Sequence, residues 1–153
     1  MKYSGIDLHS NNCWVTVTDE EDRVVAGKRV PNDLEKILRL LLPWRDELVG
    51  VVVESTYNWY WLVDALQAAG FKVHLANTVA IKKYEGLKHS GDEADARYLA
   101  HLLRLGLLPT GTIRPPEQRA VRDLARKRLQ LVRSRTTHIL AVENILARQQ
   151  GHR

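Results

Sequence analysis

Three short runs of alternating or apolar character open the chain: Tyr3 to Leu8, Asn12 to Thr18 and Arg23 to Val30, each of strand length. The second sets Val15 and Val17 against Trp14, Thr16 and Thr18, and the acidic turn Asp19-Glu20-Glu21-Asp22 joins it to the third as a hairpin. Pro31-Asn32-Asp33 then predicts a helix through about Leu42, with Asn32 or Asp33 as N-cap and Pro43 as its stop. Leu48 to Val53 is a β-branched apolar run of the kind buried on both faces in mid-sheet, and Glu54 sits at its carboxyl end. Tyr57 to Ala69 predicts a helix capped by Gly70, Phe71 to Ala76 a fifth strand, and Thr78 to Tyr84 a short helix. A meander of strands followed by alternating helix and strand predicts an α/β fold, a mixed five-stranded sheet flanked by helices.

The pattern changes after residue 90. Asp92 to Arg104 reads as a further helix, and a connector with Gly and Pro follows from Leu105 to Pro116. From Glu117 to Gln150 there is no Pro or Gly, and the stretch is rich in Arg, Leu, Ala and Gln, which predicts one long helix. Ala125, Val132, Ile139 and Leu146 recur every seven residues beside Leu124, Leu131 and Ile145, giving an apolar stripe that Arg128 and Arg135 interrupt. The expected organisation is a catalytic-type domain over residues 1–104, a connector over 105–116 and a basic amphipathic helix over 117–150, able to form a coiled coil. That stripe needs cover, so a homo-oligomer is expected.

Charge sharpens this division. Residues 1–113 carry 13 Lys and Arg against 15 Asp and Glu, a net −2, whereas residues 114–153 carry 10 against 3, a net +7. The positive excess therefore sits on the last helix, where Arg122, Arg126, Lys127, Arg128, Arg133 and Arg135 are candidates for contact with nucleic-acid phosphates. The alternative is a solvated helix kept soluble by its arginines. Composition otherwise resembles that of globular domains, with 44% hydrophobic and 27% charged residues. One cysteine, Cys13, cannot form an intramolecular bridge, no leader pattern opens the chain, and no apolar run approaches the roughly 18 residues that cross a bilayer. A cytoplasmic protein without a membrane partner is expected.

Four carboxylates stand out by position. Asp7 lies where a strand gives way to the polar run His9 to Asn12, Glu54 ends the most apolar strand, and Asp92 and Asp95 share one face at the start of a helix. If that helix crosses the sheet edge, the four acids converge, and they would repel one another unless divalent cations neutralised them. Hard oxygen ligands suit Mg²⁺ or Mn²⁺, and a pair of such ions is the standard apparatus of phosphodiester chemistry. Each acid also has a structural explanation: Asp92 as an N-cap, Asp95 as a partner of the helix dipole, Asp7 as a turn former. Glu54 has none so simple. The six histidines, His9, His74, His89, His101, His138 and His152, show no ligand spacing and read as surface or packing residues, His9 being nearest the acids. Trp59, Tyr60 and Trp61 read as core and rim of their helix, with base stacking as the other option.

Gly5-Ile6-Asp7, Glu54-Ser55-Thr56 and Asp92-Glu93-Ala94-Asp95-Ala96-Arg97-Tyr98-Leu99-Ala100, in that order, resemble the DEDD transposases of the insertion-sequence one-ten and Piv invertase type. The similarity continues through Leu103-Arg104-Leu105-Gly106-Leu107-Leu108-Pro109 and into Leu124-Ala125-Arg126-Lys127-Arg128. It departs at Tyr57, where the family usually has glycine, and at His89-Ser90-Gly91, which separates Lys88 from Asp92. The resemblance implies an RNase H-like, RuvC-like domain followed by a long helix. It implies Asp7, Glu54, Asp92 and Asp95 as catalytic and metal-binding residues, Mg²⁺ or Mn²⁺ as a pair of ions, and DNA strand cleavage and transfer. It further implies dimers or higher oligomers, in some members a guide RNA, and a C-terminal domain bearing a serine nucleophile. Ser10, Ser55, Ser90 and Ser134 do not match that serine's context, so residues 1–153 alone are expected to be nearly inactive.

Three other readings compete. A stand-alone Holliday-junction resolvase shares the acids and needs no further domain. Gly5-Ile6-Asp7-Leu8 also resembles the first phosphate loop of actin-like ATPases and sugar kinases, but the continuation His9-Ser10-Asn11-Asn12 lacks their glycines. A non-catalytic module that binds nucleic acid and oligomerises through the basic helix is the third.

Overall fold

The computed structural model describes residues 1–81 and 91–152, so the end of the expected helix Thr78 to Tyr84 lies outside the described residues. The chain forms two compact units, Met1–Thr112 and Ile113–Arg153. In the first, β1 (Lys2–Leu8), β2 (Asn12–Thr18) and β3 (Val24–Pro31) form an antiparallel meander. Next come α1 (Leu34–Leu41), a 3-10 turn (Leu42–Trp44), β4 (Leu48–Glu54), α2 (Tyr60–Ala68), β5 (Val73–Ala76), α3 (Thr78–Ile81), α4 (Asp92–Arg104) and β6 (Thr110–Gly111). The sheet order is β3-β2-β1-β4-β5-β6, with β4 parallel to β1 and β5 parallel to β4.

The sheet is thus mixed, as the sequence pattern predicts, but it has a sixth strand. Within the connector, β6 pairs antiparallel with β5 through Leu75↔Gly111 and Ala76↔Thr110. Two residues cannot display a periodicity, and only the backbone pairing reveals them. At α1 the structure chooses between the two expected caps: the Asp33 carboxylate accepts from the Glu35 and Lys36 amides, while Asn32 reaches the carbonyls of His9 and Ser10. As expected, α1 ends just before Pro43, which sits inside the 3-10 turn that follows. The helix expected from Tyr57 begins only at Tyr60, because Thr56 and Asn58 bond to each other and Asn58 Nδ2 donates to the His9 carbonyl at 3.1 Å.

Strand alternation separates two cores. Ile6, Leu8, Val15, Val17, Val51 and Val53 are almost fully buried on one face, together with Ile37 and Leu41 of α1 and Leu62, Val63 and Leu66 of α2. On the other face α4 lies across β1, β2 and β4, and Val52, Ala76, Ile81, Leu99 and Leu102 pack together. The closest approach is at Gly5. A Cβ there would stand 1.9 Å from the Ala96 carbonyl oxygen and 2.9 Å from the Ala100 amide nitrogen. The small side chains of Ala96 and Ala100, both fully buried, complete this helix-on-strand contact.

The second unit is α5 (Pro116–Gln150), 35 residues without a break, starting with proline in its first turn and ending at Gly151 in the left-handed conformation with φ of 78°. At about 1.5 Å per residue it is roughly 50 Å long. Leu124, Leu131, Ile139 and Ile145 are 50 to 72% exposed along it. No described helix is long and apolar enough to cross a membrane.

Two outcomes are expected from this packing. Gly5→Ala must force α4 off β1 and should lower stability by about 3 kcal/mol or more, whereas Gly27→Ala, whose Cβ meets only Val24 Cγ1 at 3.4 Å, should change it by less than about 1 kcal/mol. Urea unfolding of both variants compares them. His74 is half-buried beside Gly50, and burial, with Lys72 nearby, holds its imidazole below the ordinary value of 6.5. The unfolded chain therefore binds more protons below that value, so this contribution is complete above it and is lost as pH falls through it towards the folded value. His74→Gln should flatten that part of a stability-against-pH curve, measured by denaturant midpoints.

Candidate metal centre

Strand register builds the floor of the site. Asp7 pairs with Trp14 across β1 and β2, and Trp14 pairs with Arg29 across β2 and β3, so the three side chains form a row on the face that α4 covers. One step past Ile6↔Val53, Glu54 follows Asp7 in the parallel pairing, and alternation turns it to the same face as Val52. Above this row begins α4. Gly91, at φ of 123°, takes the N-cap position with no side-chain cap, so Asp92 is not an N-cap and its carboxylate is free to face the sheet.

The result is a tight group. Ligand atoms of Asp7, His9 and Asp92 all lie within 4.8 Å of one another. His9 Nε2 is 3.0 Å from Asp7 Oδ2 and 3.3 Å from Asp92 Oδ1. The other Asp92 oxygen, Oδ2, is paired with Arg29 Nη2. Asp7 is 3% exposed, and its Oδ2 receives no hydrogen bond, since His9 approaches it off the hydrogen-bonding direction. A buried carboxylate oxygen without a donor, facing a second carboxylate and an imidazole, fits a divalent cation with oxygen and nitrogen ligands.

His9 is placed by its backbone: its carbonyl accepts from Asn32 at 3.0 Å and from Asn58 at 3.1 Å. Two loops thereby fix the segment that follows β1. The charge of Asp7 is felt locally as well. Burial first, and Asp7 second, push the Cys13 thiol up to about 12, so this buried cysteine is inert as a nucleophile.

Of the four acids singled out in the sequence, Asp7 and Asp92 come together. Glu54 stands beside Asp7 at the same end of the sheet, and Asp95 lies in the exposed part of the first turn of α4; neither belongs to the 4.8 Å group among the described residues. The six candidate phosphate contacts, Arg122, Arg126, Lys127, Arg128, Arg133 and Arg135, are all exposed on α5. Sequence spacing passed over His9 and Arg29. The only signal for His9 is its position just beyond the strand that carries Asp7; for Arg29 it is the hairpin register. Lys88, His89 and Ser90 lie outside the described residues.

A second cluster braces α4. Asp22, at the β2–β3 turn with φ of 66°, meets His101 Nδ1 at 3.1 Å, Arg97 Nη2 at 3.6 Å and Arg104 Nε at 3.8 Å. Arg97 also donates to the Asp22 carbonyl and Arg104 to that of Glu20.

The model of the DEDD transposases of the IS110 type, described as "Transposase", matches residues 4–149. The chain belongs to this transposase family. Two solved structures of RuvC from Thermus thermophilus are similar to it. The one titled "T. thermophilus RuvC in complex with Holliday junction substrate" has 18% identity and a TM-score of 0.53, and covers 72% of this chain and 99% of that one. The second, "Thermus thermophilus RuvC structure", has 18% identity and a TM-score of 0.49, covering 72% and 100%. The first likeness establishes an RNase H-like fold for this transposase-family domain. None of the curated proteins compared with it matches.

Proposed function

We propose that this transposase-family chain carries the metal-dependent centre for DNA strand cleavage and transfer, with Asp7, Glu54, Asp92 and Asp95 as its carboxylates and His9 beside them. The observation that carries the reading is the buried, donorless Oδ2 of Asp7 within 4.8 Å of ligand atoms of His9 and Asp92. Asp7 and Asp92 would hold a Mg²⁺ or Mn²⁺ ion, and Glu54, next to Asp7, and Asp95, three residues after Asp92, would serve a second. Ions so bound supply charge neutralisation at the attacking and leaving oxygens of a phosphodiester.

The chain's own residues do the positioning. β1 and β4 fix Asp7 and Glu54 by register, the Gly5 contact fixes α4 and with it Asp92, and the carbonyl of His9 is fixed by Asn32 and Asn58. DNA as the partner follows from the family and from the chemistry. A Holliday junction is the substrate in the similar RuvC structure, and cutting of such a junction by residues 1–153 alone would favour the resolvase reading over that of a transposase domain needing its serine-bearing partner. The exposed cations of α5 would hold phosphates of DNA or of a guide RNA, and its apolar stripe would join two copies.

Metal binding should raise the melting temperature. At a metal concentration about 100 times Kd the folded state gains about 2.7 kcal/mol, worth several degrees in a chain of this size, and Asp7→Asn should abolish the increment. A melting curve of the unaltered chain that ignores Mg²⁺ and Mn²⁺ would count against the centre.

For α5, log affinity for duplex DNA should fall with log salt at about 0.9 per phosphate contacted. Removing the charges of Arg126 and Arg133 should lower that slope without changing particle size, whereas Ile139→Asp should change the size read by light scattering. Equal slopes for the full chain and for a chain ending at Pro116 would leave α5 a solvated arm.

A further inference from the structure

Arg29 has no role in the assignment above, yet it is the most intimate charged neighbour of the site. It lies at the end of the Asp7–Trp14–Arg29 row, its Nη2 paired with Asp92 Oδ2. Its Cζ is 5.9 Å from the centre of the Trp14 ring, which supports the guanidinium from the strand side. Asp92 is thereby engaged through both oxygens, one by His9 and one by Arg29. A cation ligated by Asp92 must share a carboxylate already neutralised by a fixed positive charge. Alongside lies a cavity of about 710 Å³ whose lining mixes charges, Arg29, Arg97 and His101 against Asp22, Asp92 and Glu93, with the rings of Trp14 and Tyr98. On the far side of β3, Arg29 also borders a groove with Lys28, Lys36 and Arg39.

We infer that Arg29 competes with the metal for Asp92, and that metal binding releases its guanidinium to hold a nucleic-acid phosphate beside the reacting one. The inference rests on the metal-centre reading and deepens it. Three physical features support it. The Arg29–Asp92 pair is half in solvent, with side chains 55% and 27% exposed, so a divalent ion can displace it at modest cost. A guanidinium presents a planar fork of donors that suits phosphate as well as carboxylate, so the released group has a partner when DNA is present. Trp14 keeps the side chain near the site after release, which spares part of the conformational entropy of ordering it again.

The competition predicts that neutralising Arg29 strengthens metal binding while weakening the coupling between metal and DNA. In calorimetric titration of residues 1–153 with Mn²⁺, Arg29→Gln should bind about three to ten times more tightly than the unaltered chain. Arg29→Lys, which keeps a cation, should stay close to the unaltered value. Lys28→Gln removes the same charge one residue away without touching Asp92 and should give little of the gain. Arg29→Gln affinity equal to or weaker than that of the unaltered chain, or a Lys28→Gln gain as large, would overturn the competition. If the unaltered chain binds Mn²⁺ and loses it in Asp7→Asn while Arg29→Gln changes nothing, the metal centre stands and only the role of Arg29 fails. If no form binds Mn²⁺, both fail. The phosphate role has its own readout. With Ca²⁺ in place of Mg²⁺, fluorescence anisotropy of a short labelled duplex should show tighter binding with metal than in EDTA. Arg29→Gln should reduce that gain severalfold, and a gain left intact would refute the released-arginine step. Arg29 is exposed on β3, so these variants should keep the circular dichroism of the unaltered chain.

Discussion

The site depends on one close approach, the seating of α4 against the backbone of β1 at Gly5. Because no Cβ stands there, the Ala96 carbonyl and the Ala100 amide settle directly on the strand, and Asp92, one turn earlier, reaches the plane of Asp7. A side chain at Gly5 would move the helix outward, and the Asp7 and Asp92 ligand atoms, now within 4.8 Å, would separate. A contact at one point leaves a helix free to pivot. The Asp22 cluster supplies the second point, tying Arg97, His101 and, about one turn beyond Ala100, Arg104 to the β2–β3 turn. Packing fixes the height of the helix and electrostatics fixes its azimuth.

Cations gather on this spot for a reason that Coulomb's law makes plain. Two unit negative charges about 5 Å apart repel by roughly 3 kcal/mol at an effective dielectric constant of about 20. Asp7 and Asp92 stand in that relation, and Glu54 adds a third acid at the same end of the sheet. His9, Arg29 and a divalent ion are in this sense alternative answers to the same field. They differ in what they leave accessible: the Arg29 guanidinium satisfies Asp92 with a directed hydrogen bond and the His9 imidazole only stands close, while an ion would keep coordination positions for phosphate oxygens. Burial first, and the charge of Asp7 second, raise the Cys13 thiol.

The elements that carry the acids were legible in the sequence because their physics is local. Alternation marks β1 and β2, a continuous β-branched run marks β4, and the Asp92–Asp95 spacing with the apolar positions after it marks α4. The DEDD resemblance put them in one site, and the structure brings Asp7 and Asp92 together. What stayed hidden depends on contacts between distant segments. Asn32 looked like a helix cap but reaches 23 residues back to the His9 carbonyl. Arg29 becomes part of the site only through the register of two hairpin pairs, which a shift of one residue would turn to the other face. The two residues of β6 carry no pattern at all and exist as a strand because β5 has an open edge. Glu54 was hardest to explain as a structural residue, and the parallel register sets it at the same end of the sheet as Asp7.

Asp7 is where the fold works against its own stability. A carboxylate 3% exposed with one oxygen lacking a donor is a liability to the folded state, since burying an unsatisfied polar group costs about 1 to 3 kcal/mol and a charged one more. A packed β1 residue of another kind would avoid this. The oxygen nevertheless receives no hydrogen bond, although His9 Nε2 stands 3.0 Å away. That open oxygen faces ligand atoms of His9 and Asp92, all within 4.8 Å of one another, and it is on this geometry that the proposed cation site rests.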